Sequence, residues 1–349
     1  MTAAVTRDRP IPVSVLDRAL AREGTADAAV LHDVVDRARR LEALGFHGVW
    51  VAEHHAVPGI AGSSPALLAS AIAGATTRIR VGTGGIMLPA HPPFMVAESI
   101  SALEALHPSR IEVGLGASTG FTPAVRRALR QADDAAERFA DDLRELTDVL
   151  AGRGTVTVRP SPAAPTPLHV LTGGGRLTLA ARAGLGAVLG GPSADPTADR
   201  PADRGDAEAP TAPHAGAQAY RDGFVPSPWS PAPRLTVSAS VAVAPTEEAA
   251  RRLALPEAWA MALSRSTGSF DRLRPVEDLD QTALTSQQAR RVEQALAATV
   301  HGTPEQVAER LTRIVRHTGA DELLVTGGVS DAAGGAQSDE LLAQLDIRA

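Results

Sequence analysis

The chain has 349 residues, of which 44% are hydrophobic, 21% charged and 3% aromatic. It is therefore a globular protein whose core consists mainly of aliphatic side chains. It contains no cysteine and no lysine, which excludes disulfide bonds, a thiolate nucleophile, a cysteine-bound metal and a Schiff-base lysine. The formal net charge of -6 gives no general attraction to nucleic acid or to an anionic membrane. No run of about 18 apolar residues occurs, and no apolar N-terminal stretch, so we predict a cytoplasmic protein.

Short apolar runs alternate with helical patterns along the chain. The apolar runs predict eight strands, at residues 12–16, 49–51, 78–86, 110–116, 168–171, 186–189, 235–243 and 322–326. Apolar residues at helical spacing predict helices at residues 26–44, 65–75, 96–106, 124–150, 177–183, 217–223, 247–263, 286–298 and 304–319, and a last helix that includes 341–345. The chain begins strand–helix–strand, which predicts parallel strands joined by right-handed crossovers.

Eight buried strands, mostly separated by helices, predict a single (β/α)8 barrel over residues 11–349. Residues 1–10 are polar and are predicted to be disordered. The segments 191–215 and 264–285 lack the regular apolar pattern and are predicted to be flexible insertions. An open doubly wound sheet is the alternative. Glycines follow several strands here, and no Gly-x-Gly-x-x-Gly motif follows the first strand, so the barrel is favoured.

An acid and two imidazoles directly follow the second strand: Glu53, His54 and His55. In parallel α/β folds, chemistry takes place where strands end and loops begin. A neutral imidazole can take or give a proton near pH 7, so His54 and Glu53 are candidate catalytic residues. The alternative is a set of polar loop residues without a role. A metal site would need further ligands at other strand ends, such as His91. We predict that no metal is bound.

Two glycine-rich turns follow the third and fifth strands. At Thr83, Gly84 and Gly85 the backbone can approach a flat ligand closely, because no glycine side chain intrudes. The second turn consists of Thr172, Gly173, Gly174, Gly175 and Arg176. It opens a helix, so its N–H groups and the arginine favour an anion such as a phosphate. At each turn the alternative is a tight turn in a chain that is rich in glycine throughout.

The residues of these motifs resemble those of bacterial luciferase-like flavin monooxygenases. The similar stretches are Trp-Val-Ala-Glu-His-His at 50–55, Ser-Pro-Ala at 64–66, the strand with its glycines at 77–85, Met-Leu-Pro-Ala-His-Pro-Pro at 87–93 and the strand at 106–116. Weaker matches follow at 224–227 and 302–307. The resemblance implies a (β/α)8 barrel and a reduced flavin, FMN delivered by a separate flavin reductase. The flavin reacts with O2 and oxygenates a small organic substrate.

The resemblance also implies roles for particular residues. The first histidine of Glu-His-His is catalytic in the family, which falls on His54. Glu53 and the third-strand turn are expected near the flavin ring, and a non-prolyl cis peptide bond is expected at Gly84–Gly85. The turn at 172–176 falls where the family binds the flavin phosphate.

Leu16, at the end of the first predicted strand, and Ser118, just after the fourth, complete the expected set of cofactor-binding residues. A homodimer formed by helices of the first half of the barrel is expected. Residues 264–285 fall where the family has a mobile lid.

Two departures from the family concern the phosphate. The arginine that usually follows the glycines of the fourth strand is absent from residues 117–122, and three glycines at 173–175 replace Gly-Ser-Ser. Losing one charge-assisted contact costs about 1.5–3 kcal/mol, so we predict weaker flavin binding than is usual, unless Arg176, Arg126 or Arg127 compensates. An oxidoreductase that uses F420 and a non-catalytic flavin-binding protein are the alternatives. The missing arginine favours the latter, and the retained Glu-His-His opposes it.

Overall fold

The computed structural model describes residues 10–161, 163–191, 194–195 and 213–348. Residues 1–9 and most of the predicted insertion 191–215 therefore lie outside the described part of the chain. The strands are β1 Val13–Asp17, β2 Gly48–Val51, β3 Arg80–Met87, β4 Ile111–Gly116, β5 Leu168–Thr172, β6 Gly186–Leu189, β7 Leu235–Val243, β8 Val300–Gly302 and β9 Glu322–Thr326. The helices are α1 Asp27–Leu44, α2 Pro65–Ala75, α3 Pro93–Leu106, α4 Pro123–Ala128, α5 Phe139–Leu150, α6 Leu177–Ala183, α7 Ala215–Asp222, α8 Glu247–Thr267, α9 Ser286–Ala298, α10 Pro304–Thr318 and α11 Ala332–Ala343.

Eight parallel strands close into a barrel, as the alternating pattern predicts. Strands β1 to β7 pair in chain order, β7 pairs with β9, and β9 pairs with β1, which closes the ring. The remaining described strand, β8, pairs with the end of β7 and lies outside the ring. β8 was not predicted from the sequence, because a segment of three residues is too short to show a periodic pattern.

The first helix shows how apolar spacing positions the outer layer. In α1 the buried residues are Val30, Val34, Ala38 and Leu41, which lie on one face at helical spacing. Gly45 ends the helix with φ 85°, in the left-handed region that glycine adopts without strain. The chain then turns directly into β2, whose four residues are all buried.

The barrel interior is filled around one large side chain, Trp50 of β2, which is 1% exposed. A Cβ atom added at Gly82 would lie 2.4 Å from the Trp50 ring, and one added at Gly114 would lie 3.0 Å from it. Such contacts are too close for any side chain at these two positions. Gly82 therefore makes room for the tryptophan, and at Gly114 a Cβ atom would lie closer still, at 2.5 Å, to the Thr83 carbonyl oxygen and to Cδ1 of Leu171.

Buried ion pairs close the amino end of the barrel. Glu112 pairs with Arg80 and with Arg234, and Arg234 also pairs with Glu322 at 2.6 Å. The buried ring of His169 lies 3.6 Å from Glu112. Burial lowers the pKa of His169 to about 4, although the Glu112 charge acts in the opposite direction. With this end filled, the space left for a ligand lies at the opposite, carboxyl end of the strands.

The segment after β7 differs from its predicted boundaries. Helix α8 continues to Thr267, and two short 3-10 turns follow at Val276–Asp278 and Gln281–Ala283. Between the helix and these turns, Leu273 is fully buried and exchanges backbone hydrogen bonds of 2.9 Å with Ala21 and Glu23. Part of the predicted segment 264–285 is thus joined to the loop that follows β1. Among the described helices, none combines the length and the apolar character that a membrane crossing requires.

Candidate active site

A cavity of about 590 Å³ lies at the carboxyl ends of the barrel strands, a volume typical of small-molecule sites. The sequence analysis proposed twelve site residues, and nine of them line this cavity: Leu16, Glu53, His54, Gly84, Gly85, Ser118, Thr172, Gly173 and Arg176. They come from the ends of β1 to β5 and from the loops that follow. Closure of the barrel therefore brings together residues that are as far apart in the chain as Leu16 and Arg176.

His54 borders the cavity three residues after Val51, the buried end of β2. Its backbone N–H donates to Gly62 O at 3.0 Å, and its ring lies parallel to the ring of Phe121, with 6.1 Å between the centroids. The ring atom Nδ1 is buried and has no hydrogen-bond partner among the described residues. Burial and the nearby charge of Arg18 lower the pKa of His54 to about 4. The imidazole is therefore neutral at pH 7 and can accept or donate a proton.

Glu53 is held by three hydrogen bonds. Its Oε1 accepts one from Nε2 of His55 and one from Nε2 of His91, both at 2.6 Å, and its Oε2 accepts the backbone N–H of Met87 at 2.8 Å. Burial alone would raise the pKa of Glu53, but these bonds and the His91 charge together hold it below its usual value. Both carboxylate oxygens are engaged, so Glu53 positions the ends of β2 and β3 relative to each other.

Within the described ranges, Glu53, His55 and His91 form the group that could hold a metal ion, since one ligand atom from each lies within 4.8 Å of the others. Ligand atoms around a tetrahedral metal are about 3.3 Å apart, given metal–ligand distances of about 2.0–2.1 Å. The observed separations of 2.6 Å from Glu53 to each imidazole are those of direct hydrogen bonds. The contacts of these three side chains are thus accounted for without an ion.

The turn at the end of β3 forms one wall of the cavity. The Gly84–Gly85 peptide bond is cis, at the position where the resemblance implies such a bond. A Cβ atom at Gly84 would lie 2.6 Å from Cδ1 of Leu16, and one at Gly85 would lie 2.7 Å from the carbonyl oxygen of Gly114. A side chain at Gly85 would clash with backbone, and one at Gly84 would require Leu16 to move. With glycine at both positions, bare backbone faces the cavity, as a flat ligand requires.

The turn after β5 differs from the expected anion site. The hydroxyl oxygen of Thr172 accepts the backbone N–H groups of Gly174 and Arg176, both at 3.0 Å. Two N–H groups that the sequence suggested for a phosphate are therefore used within the turn itself. The Arg176 guanidinium lies 5.5 Å from the ring centre of Phe139. Among the described residues that line the cavity, Arg176 is the only arginine.

Three of the proposed residues, Thr83, Gly174 and Gly175, do not line the cavity. The Thr83 hydroxyl is fully buried and exchanges hydrogen bonds of 3.1 Å with the backbone of Gly114. It points away from the cavity because successive side chains of a strand face opposite sides. Gly174 and Gly175 belong to the same turn as Gly173 but are not among the residues that line the cavity.

The sequence analysis also missed part of the wall. The missed lining side chains include Met87, Phe121, Leu171, Val188, Ser238 and Leu324. Most are apolar residues of strands, where the only available signal was their place near a carboxyl end. Phe121 lies in the stretch where the family resemblance fails, so no motif singled it out.

The comparisons with known proteins agree with this architecture. The chain matches the family described as luciferase-like monooxygenase over residues 12–322. It is 32% identical to a luciferase-like monooxygenase of Escherichia coli (strain K12) over 338 residues, which cover 96% of each protein. The solved structure of apo-MsnO8 is 29% identical, with a TM-score of 0.78 and coverage of 96% of this chain and 98% of the other.

A more distant solved structure shares the fold: the oxygenating constituent of 3,6-diketocamphane monooxygenase from Pseudomonas putida, in complex with FMN. It is 15% identical, with a TM-score of 0.67 and coverage of 97% of this chain and 98% of the other. The family match spans most of the chain and includes the barrel strands β1 to β7. The chain therefore belongs to the luciferase-like monooxygenase family.

Proposed function

We propose that this protein is a two-component monooxygenase that uses reduced FMN and O2 to oxygenate a small organic substrate. The observation that carries the proposal is the position of His54, which borders a cavity of about 590 Å³ and has a buried Nδ1 without a partner among the described residues. A buried polar atom without a partner costs free energy unless a ligand satisfies it. The name of the Escherichia coli relative supports the class of reaction.

The residues of the cavity fit a flavin. When bound, the reduced flavin would supply the electrons that activate O2. The bare backbone of Gly84 and Gly85 would lie against the flat ring, because neither residue has a side chain that would intrude. Arg176 would bind the phosphate as the cation of the cavity wall. His54 is neutral at pH 7, so it would hold or transfer a proton at its unpartnered nitrogen.

We assign the supply of reduced FMN to a separate flavin reductase. No Gly-x-Gly-x-x-Gly motif for a dinucleotide follows the first strand. The scarcity of phosphate donors around residues 172–176 suits a cofactor that is exchanged and not retained. A cytoplasmic location, where such a reductase and NAD(P)H are found, belongs to the same proposal.

We also propose a homodimer that forms through α2 and α3. Leu67 of α2 is 73% exposed, and Met95 and Leu106 of α3 are 55% and 67% exposed. Helices α2 and α3 contact each other, so these apolar side chains lie on adjoining elements. A second copy of the chain would cover such a surface.

The deciding experiment supplies chemically or enzymatically reduced FMN and O2 with a panel of organic substrates, and mass spectrometry detects a gain of one oxygen atom. Oxidised FMN is the control for background oxidation. Binding of F420 in preference to FMN, with hydride transfer and no oxygen gain, would show the alternative oxidoreductase. FMN binding without turnover across the panel would support the non-catalytic alternative, provided that His54→Ala gives the same mass-spectrometric result as the wild type.

A further inference from the structure

Phe121 contributes the one phenyl, phenol or indole ring among the described residues that line the cavity. It is 63% exposed. A single exposed apolar side chain on a protein surface needs no explanation. This one differs because it borders a cavity of ligand size, in the stretch 117–122 where the chain departs from its family. The ring therefore offers apolar surface that a molecule in the cavity could cover.

The backbone on both sides of Phe121 is anchored. The carbonyl oxygen of Gly120 accepts Nη1 of Arg126 at 2.9 Å. The hydroxyl oxygen of Thr122 accepts the N–H of Val125 at 3.2 Å and so caps α4. The loop thus presents Phe121 in a position that is already fixed. A ligand that packs on a preformed surface pays less conformational entropy than one that must first order a loop.

The ring of Phe121 lies beside the proposed catalytic imidazole. The rings of Phe121 and His54 are parallel to within 6°, with 6.1 Å between their centroids. Parallel rings in full face-to-face contact would have their atoms about 3.5–4 Å apart, so these two rings do not cover each other. An apolar group that lies beside His54 is therefore within reach of the open Phe121 ring.

The described cavity wall contains two charged side chains, Glu53 and Arg176. Both carboxylate oxygens of Glu53 already accept hydrogen bonds. Arg176 lies in the turn after β5, which we assign to the flavin phosphate. A charge that is buried without a partner costs far more than a buried apolar group. The wall around His54 therefore disfavours a charged substrate.

The rest of the wall suits an uncharged molecule. Four aliphatic side chains that line the cavity belong to the apolar cluster around Trp50: Leu16, Leu171, Val188 and Leu324. The hydroxyl groups of Ser118 and Ser238 also line the cavity. Hydroxyl groups can hydrogen-bond to an uncharged polar group, such as a carbonyl or an amide. Apolar walls with a few polar groups are typical of small-molecule sites.

We propose that Phe121 is a specificity-determining residue, which packs against the apolar part of an uncharged organic substrate and so holds it beside His54. This inference rests on the proposed function and names its substrate class. An exposed aromatic ring at a preformed site supplies binding energy when a ligand covers it. The proposal therefore predicts that binding depends on the size of the side chain at position 121.

The first test measures the binding of phenylacetamide, 3-phenylpropanamide and butyrophenone to the full-length, flavin-free protein by isothermal titration calorimetry. We expect Phe121→Ala to weaken the binding of at least one of these neutral probes by about tenfold. Phe121→Leu should weaken it by less, because an apolar side chain remains. Val156→Ala is the matched control, since Val156 is 51% exposed and does not line the cavity.

The second test compares phenylacetamide and 3-phenylpropanamide with phenylacetate and 3-phenylpropionate on protein saturated with oxidised FMN. The bound phosphate then occupies Arg176, so we expect each amide to bind tenfold or more tightly than its acid. Circular dichroism and thermal unfolding establish that each variant is folded. The proposal is wrong if no neutral probe binds, if the acids bind as well as the amides, or if folded Phe121→Ala binds every probe as the wild type does.

FMN affinity distinguishes a substrate contact from a flavin contact. Phe121→Ala should bind FMN as tightly as the wild type. If FMN binding falls tenfold while probe binding is unchanged, Phe121 belongs to the flavin site and the proposal is refuted.

Oxygenation assays separate this inference from the proposed function. Phe121→Ala should raise KM for uncharged substrates by more than it lowers kcat. If the wild type and Phe121→Ala oxygenate the panel with equal KM, the monooxygenase proposal stands and the role of Phe121 is refuted. If neutral probes bind through Phe121 and no compound gains oxygen, the binding site stands and the reaction is refuted.

Discussion

The imidazole of His91 donates to Oε1 of Glu53 at 2.6 Å, across 38 positions of the chain. The same carboxylate accepts the backbone N–H of Met87, so a single buried acid fixes both the end of β3 and the loop beyond it. His55 completes the set of donors. Glu53, a candidate catalytic residue in the sequence, thus holds the wall of the cavity in place.

Replacing this carboxylate tests that role. Glu53→Gln keeps the size of the side chain but weakens charge-assisted bonds to two imidazoles, so we expect a loss of about 1–3 kcal/mol in the free energy of unfolding. Urea denaturation measures it, and oxygenation activity should fall with it. The exposed Glu145→Gln is the control and should change neither. A Glu53→Gln protein as stable as the wild type would contradict the positioning role.

The neutral state of His54 predicts how kcat depends on pH below neutrality. Its pKa of about 4 results from burial and the charge of Arg18, with His55 acting in the same direction and Glu53 in the opposite one. Protonation should therefore reduce kcat only below about pH 5, whereas an imidazole at the ordinary value of 6.5 would lose activity below about pH 7. Arg18→Leu should shift this loss of kcat to higher pH, because the variant removes a positive charge that lowers the pKa of His54.

His54→Ala should abolish most of the oxygenation, by at least about a hundredfold, if this imidazole moves a proton in the reaction. FMN affinity, measured by calorimetry, should change by much less, since the wall at Gly84–Gly85 and Arg176 remain. Turnover that survives in this variant with intact flavin binding would show that the catalytic assignment is wrong.

Flavin affinity is expected to be weak. The chain lacks the usual arginine after Gly116, and Thr172 uses two N–H groups of the phosphate turn. We expect calorimetry with FMN to give a dissociation constant in the micromolar range, and nanomolar binding would contradict the reasoning. Arg176→Ala should weaken binding by roughly tenfold or more, whereas the exposed Arg127→Ala should leave it unchanged.

The stability of the fold should depend on pH through His169. Its pKa is about 4 in the folded protein because of burial, with Glu112 opposing the shift and Arg234 and Arg80 adding to it. The unfolded chain has the ordinary value of 6.5 and binds more protons between these limits, so stability should fall as the pH drops from 6.5 towards 4.

His169→Gln cannot titrate, so its urea midpoint should differ less between pH 5 and pH 7.5 than that of the wild type, even if the variant is less stable at both. The exposed His32→Gln serves as the control and should follow the wild type. An equal pH dependence of His169→Gln and wild type would refute the assignment.

The proposed dimer is tested by placing a charge on its surface. Met95→Glu in α3 should convert the protein to a monomer in light scattering coupled to size-exclusion chromatography, because a charge in an apolar interface is costly. Val156→Glu is the control, since Val156 is 51% exposed and lies outside α2 and α3. A monomeric wild type would refute the dimer outright.

The sequence determined the barrel itself, because apolar periodicity and turn residues are local properties that can be read along the chain. It also indicated most of the cavity, since residues at the carboxyl ends of parallel strands meet at one face of a closed barrel. His54, Gly84 and Arg176 were found in this way.

Only the tertiary structure decided which side chains far apart in the chain contact each other. Arg18 and Glu257 are separated by 239 positions, and no local pattern predicts their contact. The structure also showed that Gly82 makes room for Trp50 inside the barrel, and that Thr172 accepts two N–H groups of its own turn. The physical reason is that strand register and barrel closure fix which side chains and donors share a space, and both depend on the whole chain at once.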